Sequence, residues 1–236
     1  MYFYTSPQDK HNIYQNILKQ IEAAFQTEPT IASTLHGQRK IFQGCYGRRT
    51  ALFPSVKCGG AIPVESRLKL AHAVILEQDP RIRHYRTQAI KIPLGQNQFC
   101  YPDFLIQTTN NSYEIHEVKP SISSLSLEDI EHFGRLSSLL QAIGIVFRLV
   151  DRRNLPTNQD LQQLLYWYQR GHLQSWSRYE ISLATRLLEQ QNFQRLEQIY
   201  IALKHENLAP QIGDYLVFHG VISIPFSTRS YTVAGE

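Results

Sequence analysis

The stretch Tyr101-Pro102-Asp103-Phe104-Leu105-Ile106-Gln107, followed by Thr108-Thr109-Asn110-Asn111-Ser112 and then Tyr113-Glu114-Ile115-His116-Glu117-Val118-Lys119, reads as a β-hairpin. Aromatic and β-branched residues fill both arms, and the residues between them are Thr, Asn and Ser, whose short side chains hydrogen-bond locally in turns. With that polar run as the loop, Gln107 faces Tyr113. Counting outward two at a time sets Asp103 opposite Glu117 and Tyr101 opposite Lys119. Two acids and a lysine then share one face.

Carboxylates directly across an antiparallel pair have Cβ atoms roughly 4.5 to 5.5 Å apart, and like charges there oppose folding. A divalent cation would compensate, because hard oxygen ligands with open positions suit magnesium or manganese. Lys119, two residues beyond Glu117 on the same face, would be a fixed positive charge beside it. This is the Pro-Asp…(Asp/Glu)-x-Lys pattern of metal-dependent nucleases. The plainer alternative is a surface hairpin carrying ordinary solvated charges.

With 236 residues, 42% of them apolar, the chain is long enough for two domains with real cores. No apolar run approaches the roughly 18 to 20 residues that span a bilayer. The start, Met1-Tyr2-Phe3-Tyr4-Thr5-Ser6-Pro7, lacks the basic and apolar segments of a signal peptide, so a cytoplasmic protein is expected. Cys45, Cys58 and Cys100 make no close pair, which argues against a disulfide framework or a C-x-x-C zinc site. The histidines lack H-E-x-x-H spacing, and no glycine-rich nucleotide loop is present, so no organic cofactor is implied. Up to Asn154 there are 18 Lys and Arg against 13 Asp and Glu, and beyond it 6 against 7. The basic excess lies with the hairpin, as a nucleic-acid backbone would require.

Taken in order, residues 10 to 26 place Ile13, Ile17, Leu18, Ile21, Ala24 and Phe25 on one helical stripe. From Pro29 to Gly60 periodicity fails, and a glycine-rich loop carries Arg39, Lys40, Arg48, Arg49 and Lys57; glycine lets such a segment follow a phosphate backbone closely. Arg48, Arg49 and Lys57 are its candidate DNA contacts, and an ordinary connecting loop is the alternative. Pro63-Val64-Glu65-Ser66 opens a helix through about Gln78, with Glu65 in the first turn, where an acid is also favoured by the helix dipole. Ile82 to Arg86 and Gln88 to Pro93 are short β-rich runs, and Gly95-Gln96-Asn97 turns into the hairpin. A helix near 126 to 142 shows Leu127, Ile130, Phe133, Leu136, Leu139 and Leu140 on one face, and Ile145 to Val150 reads as a strand. The order helix, three strands, helix, strand matches the core of the restriction-endonuclease-like fold, an α/β mixed sheet flanked by helices.

From Pro156 the texture changes. Helices are expected near 157 to 169, 176 to 190 and 193 to 206, with another through about His219. Val221 to Ile224 and Ser230 to Val233 then read as strands of a small wing. The expected division is residues 1–154, a nuclease domain with an N-terminal helix and basic loop, and residues 155–236, a winged-helix-like domain. Its near-neutral charge favours a protein partner, with Tyr166, Trp167, Tyr168 and Trp176 either anchoring that partner or filling the core.

With these pieces in order the chain resembles the TnsA endonuclease family of heteromeric cut-and-paste transposons. The matching run is Phe53-Pro54-Ser55-Val56-Lys57, Glu65-Ser66, Asp79-Pro80-Arg81-Ile82-Arg83-His84-Tyr85-Arg86-Thr87-Gln88, Tyr101-Pro102-Asp103-Phe104 and Glu117-Val118-Lys119-Pro120, within residues 37 to 151. The family often has Ser-Leu-Leu-Glu around its helical acid, for which Glu65 is the best match and Glu77 a rival. The family position two before the lysine is often glutamine, and here it is Glu117. Gln88 matches a Gln-Pro position and is an auxiliary candidate, with a strand-edge hydrogen bond as its simpler role.

What the resemblance implies is magnesium- or manganese-dependent hydrolysis of DNA at the 5′ ends of a transposon. Glu65, Asp103 and Glu117 would be the metal ligands and Lys119 would be the catalytic lysine. The implied partners are the transposon-end DNA, the transposase subunit that processes the 3′ ends and a regulatory AAA+ ATPase. The alternatives are a restriction or junction-resolving nuclease acting alone, or a catalytically idle scaffold that holds DNA for its partners.

Overall fold

The computed structural model describes residues 7–41, 50–95, 98–189 and 191–224. Arg48, Arg49, Cys45 and the strand expected over Ser230 to Val233 lie outside the described residues. The chain divides into two compact units, residues 1–155 and 156–236.

The first unit is mixed α/β. Helix α1 (Pro7–Gln26) buries Ile17, Ile21 and Ala24, the stripe that the spacing predicts. Strands β1 (Ala51–Ser55) and β2 (Gly60–Val64) pair antiparallel with Phe53 against Ile62. The reading of everything from Pro29 to Gly60 as loop is therefore corrected. Pro54, Gly59 and Gly60 do not break this ribbon because Gly59 takes the left-handed conformation of its turn (φ 73°) and the ribbon is only two strands wide.

Helix α2 (Arg67–Gln78) starts later than expected. Ser66 is its N-cap, its Oγ accepting the Lys69 N–H at 3.2 Å, because Pro63 and Val64 are already held in β2. Glu65 thus stands one residue ahead of the helix cap and not in the first turn. Strand β3 (Ile82–Thr87) follows, then a two-stranded ribbon, β4 (Ile92–Gly95) with β5 (Gln98–Cys100). Strands β6 (Phe104–Thr108) and β7 (Tyr113–Lys119) form the predicted hairpin, with Gln107 against Tyr113 and Phe104 against His116.

Helix α3 (Leu127–Gln141) opens on a capping box in which Ser126 and Asp129 each accept the other's backbone N–H. It buries Phe133, Leu136 and Leu140, whereas Leu127 and Ile130 of the expected apolar face are exposed. Strand β8 (Val146–Asp151) then runs parallel to β7, the crossover through α3 being what a parallel neighbour requires. The sheet order is β3-β6-β7-β8, with only the last pair parallel.

Strand alternation divides the core. Leu105 and Ile115, cross-strand partners, face a cluster with Ile17 and Ile21 of α1 and Phe133, Leu136 and Leu140 of α3. Phe104 and Tyr85 face the other way, where His72 of α2 meets the Phe104 ring at 4.9 Å between centroids. Helices therefore cover both faces of the sheet.

Below α2 a polar cluster ties the β1–β2 ribbon to the helix. The Tyr85 hydroxyl donates to Glu77 Oε1 at 2.9 Å, Ser55 Oγ donates to the same oxygen, and the Lys57 N–H donates to Glu77 Oε2. The Lys57 ammonium donates to the carbonyls of Leu76 and Asp79 at the end of α2. A cation belongs there, at the negative end of the helix dipole.

The second unit contains helices α4 (Asn158–Gly171), α5 (Arg178–Glu189), α6 (Leu196–His205) and α7 (Gln211–Phe218). Trp167 and Tyr168 fill its core, the Trp176 Nε1–H donates to the Gly171 carbonyl, and Tyr166 is exposed. A Cβ on Gly171 would meet the Tyr215 backbone at 2.7 Å, so glycine sets how closely α4 and α7 pack. Val221 to Ile224, expected as a strand, are bends and coil.

Glu77→Ala removes the acceptor of the Ser55 hydroxyl and the Lys57 amide and leaves the buried Tyr85 hydroxyl only the longer bond to the Ala73 carbonyl at 3.4 Å. The expected loss is about 3 kcal/mol of unfolding free energy, measured by urea titration. A loss below about 1 kcal/mol would mean that the cluster does not hold the ribbon on the helix.

Candidate active site

The hairpin register places Asp103, the residue before β6, beside Glu117 of β7, and backbone hydrogen bonds fix the two acids to each other's strands. The Asp103 N–H donates to Glu117 Oε2 at 3.2 Å and the Val118 N–H donates to Asp103 Oδ2 at 3.0 Å. Asp103 is 4% exposed. Lys119, two residues along β7, holds Glu117 Oε1 at 2.9 Å and lies 5.1 Å above the Phe133 ring.

The neighbouring segments bring the rest. Glu65 Oε2 accepts the Gln88 Nε2–H at 3.1 Å and pairs with Arg39 Nη2. Gln88 Oε1 in turn accepts the Arg39 Nε–H at 2.8 Å. Lys69, one turn into α2, reaches Asp103 Oδ1 at 2.5 Å and Glu65 Oε2 at 3.6 Å. A chain of contacts thus links Gln88, Arg39 and Glu65 through Lys69 to Asp103, Glu117 and Lys119. In the sequence Arg39 is named only as part of the basic loop, and Lys69 is not a candidate. For Lys69 the available signal was its i,i+4 spacing from Glu65.

Gln88 makes the strand-edge hydrogen bond considered for it and also reaches Glu65. Its N–H donates to the Asp103 carbonyl at 3.1 Å, extending the β3–β6 ladder, while its side chain orients Glu65. It is 3% exposed and has φ 47°, a left-handed conformation that few non-glycine residues adopt and that clusters at functional sites. Gly37 closes over it: a Cβ there would lie 2.3 Å from the Gln88 carbonyl oxygen.

Two sequence candidates stand elsewhere. Glu77 is committed to Tyr85, Ser55 and Lys57, so it is not the acid facing Asp103. Lys57, expected as a phosphate contact, has its ammonium on the carbonyls at the end of α2, and burial lowers its pKa to about 8. Its place is that of a helix cap.

Burial, then the negative charge of Asp103, pushes the Glu117 carboxyl above its ordinary range, and Lys119 only partly offsets this. Burial alone would disfavour the Lys119 ammonium, but the charge and hydrogen bond of Glu117 outweigh it and raise its pKa. Cys100 nearby is pushed up to about 12 by burial and by Glu117 and Asp103, which leaves its thiol protonated and a poor nucleophile.

Among the described residues no three His, Cys, Asp or Glu side chains are gathered closely enough to hold a metal ion as they stand. The donor set is nevertheless that of a hard cation, being all carboxylate oxygen, and a positive group already lies between Glu65 and Asp103 in the form of the Lys69 ammonium. No family model matches the chain, and no curated protein matches it.

Because its carboxyl holds a proton in the folded protein at a pH where the unfolded chain has lost it, ionised Glu117 costs stability above the ordinary carboxylate range. Glu117→Gln should therefore raise the melting temperature in metal-free buffer at neutral pH. The gain should shrink as pH falls into the carboxylate range, where the wild-type group is itself protonated. A lowered melting temperature at neutral pH, or a gain that does not change on acidification, would contradict this.

Proposed function

We propose that the first unit is a metal-dependent DNA endonuclease of the restriction-endonuclease-like type. The observation that carries this reading is the placement of Asp103, Glu117 and Lys119 at one end of a hairpin with Glu65 brought beside them from the start of α2. The succession of α2, the antiparallel sheet strands β3, β6 and β7 with the β4–β5 ribbon inserted after β3, then α3 and the parallel strand β8, supports it.

A magnesium or manganese ion held by Asp103, Glu117 and Glu65 would stabilise charge on the phosphate and lower the pKa of the attacking water. The protein's own groups do the rest. Lys119 Nζ, held by Glu117 and kept protonated by it, presents positive charge beside the reacting phosphate, where negative charge grows in the transition state. Gln88 and Arg39 fix the Glu65 carboxylate, so that it does not have to be ordered at the moment of reaction.

By its resemblance to the TnsA family the biological reaction is cleavage at the 5′ ends of a transposon, in company with a transposase subunit and an AAA+ ATPase. The second unit, helical and close to neutral in charge, is assigned to those partners; Val221 to Ile224 do not form the first strand of the wing expected after its helices. Exposed Tyr166, with the Arg170 guanidinium over its ring, is the aromatic side chain offered to such a partner. None of the helices among the described residues is long and apolar enough to cross a membrane.

Asp103→Asn keeps the size and the backbone hydrogen bonds of the side chain but removes its charge. Nicking of supercoiled plasmid with manganese should fall at least about a hundredfold, since each 1.4 kcal/mol of lost transition-state stabilisation is about tenfold in rate. Nicking at the wild-type rate by the folded variant would overturn the site.

A further inference from the structure

Lys69 is out of place by the rules of an isolated helix. It occupies the third position of α2, where a capping box would put a glutamate and where the dipole favours negative charge, and Arg67 stands two residues earlier. Its position is explained by what its ammonium touches: Asp103 Oδ1 at 2.5 Å and Glu65 Oε2 at 3.6 Å. Those are two of the three carboxylates assigned above to a metal. A hard divalent cation and the ammonium would compete for the same oxygens, because two positive centres cannot share that space without strong repulsion. The lysine stem is flexible and the side chain is 19% exposed, so the ammonium has a route out towards solvent.

We propose that Lys69 is the resident counter-cation of the metal-free site, holding Glu65 and Asp103 in place until a divalent cation displaces it. The proposal rests on the metal-dependent reading given above. Lys69 therefore sets how much metal the site requires. Without metal it compensates the repulsion that the hairpin register imposes. On metal entry its ammonium leaves the two carboxylates and remains at the edge of the site as a mobile positive charge.

The test is manganese binding by the full chain without DNA, followed through the electron paramagnetic resonance signal of free Mn2+. Lys69→Met removes the competitor while keeping the length of the stem, and the apparent affinity should tighten about tenfold, a change of about 1.4 kcal/mol. Lys69→Arg, which keeps the charge, should bind no tighter than wild type. Should methionine prevent folding, Lys69→Gln reads the same quantity. Equal or weaker binding by the neutral variant, with clear binding by wild type, overturns the role of Lys69 and leaves the metal site standing. Binding by neither protein overturns the metal-dependent reading together with the proposal.

Discussion

The antiparallel register of β6 and β7 brings Asp103 and Glu117 side by side, and the surrounding chain supplies what such a pair needs to remain folded. Repulsion between facing carboxylates is a cost on the hairpin. It is met by Lys119 on Glu117 and Lys69 on Asp103, while Arg39 and Gln88 hold Glu65. The supporting segments come from far apart in sequence, a loop before β1, the start of α2 and the end of β3, so the site assembles only when the ribbon, helix and sheet have packed. The burial that raises the Glu117 carboxyl also raises the strength of each ion pair around it.

Backbone constraint surrounds this charge balance. Gln88 is held at positive φ by its ladder bond to Asp103 and by the close approach of Gly37, and so its amide is delivered to Glu65 at a fixed angle. Strain of this kind persists only where the neighbouring structure over-determines it. The second polar cluster, around Glu77 and Lys57, works differently. It satisfies buried groups and the carbonyls at the end of α2, and it anchors the ribbon from which Glu65 emerges. Glu65 just ahead of α2 and Glu77 in its last turn thus have different physical roles, set by their neighbours.

The hairpin was legible because its signal is local: alternating aromatic and β-branched residues around a loop of turn formers fix both type and register, and the Gln107 to Tyr113 pairing follows. The α1 stripe and the buried part of α3 were legible for the same reason. The β1–β2 ribbon was not, since Pro54, Gly59 and Gly60 have the composition of a loop and the pairing is sustained by packing under α2. The placement of Glu65 in the helix failed because pairing of Val64 with Ala51 competes with helix initiation and Ser66 takes the cap. Leu127 and Ile130 are exposed although Leu125 and Phe133 on either side of them pack with the cluster, and periodicity alone cannot mark which positions of an apolar stripe are buried. Arg39 was legible only as a basic loop residue because its partners Glu65 and Gln88 are fixed by tertiary contact, and the i,i+4 spacing of Lys69 from Glu65 could not reveal its contact with Asp103; the left-handed Gln88 carries no sequence mark, since such positions usually hold glycine or asparagine.

On the proposed function Glu65, Asp103 and Glu117 would hold one hard cation, whereas Glu77 would keep its bonds to Tyr85, Ser55 and Lys57. Carboxyl 13C resonances of the full chain, followed during titration with substoichiometric Mn2+, test this most directly, because paramagnetic broadening falls steeply with distance from the ion. The side-chain signals of Glu65, Asp103 and Glu117 should broaden together and first, with that of Glu77 retained. Broadening that begins at Glu77, or that spares Asp103, would contradict the proposed site.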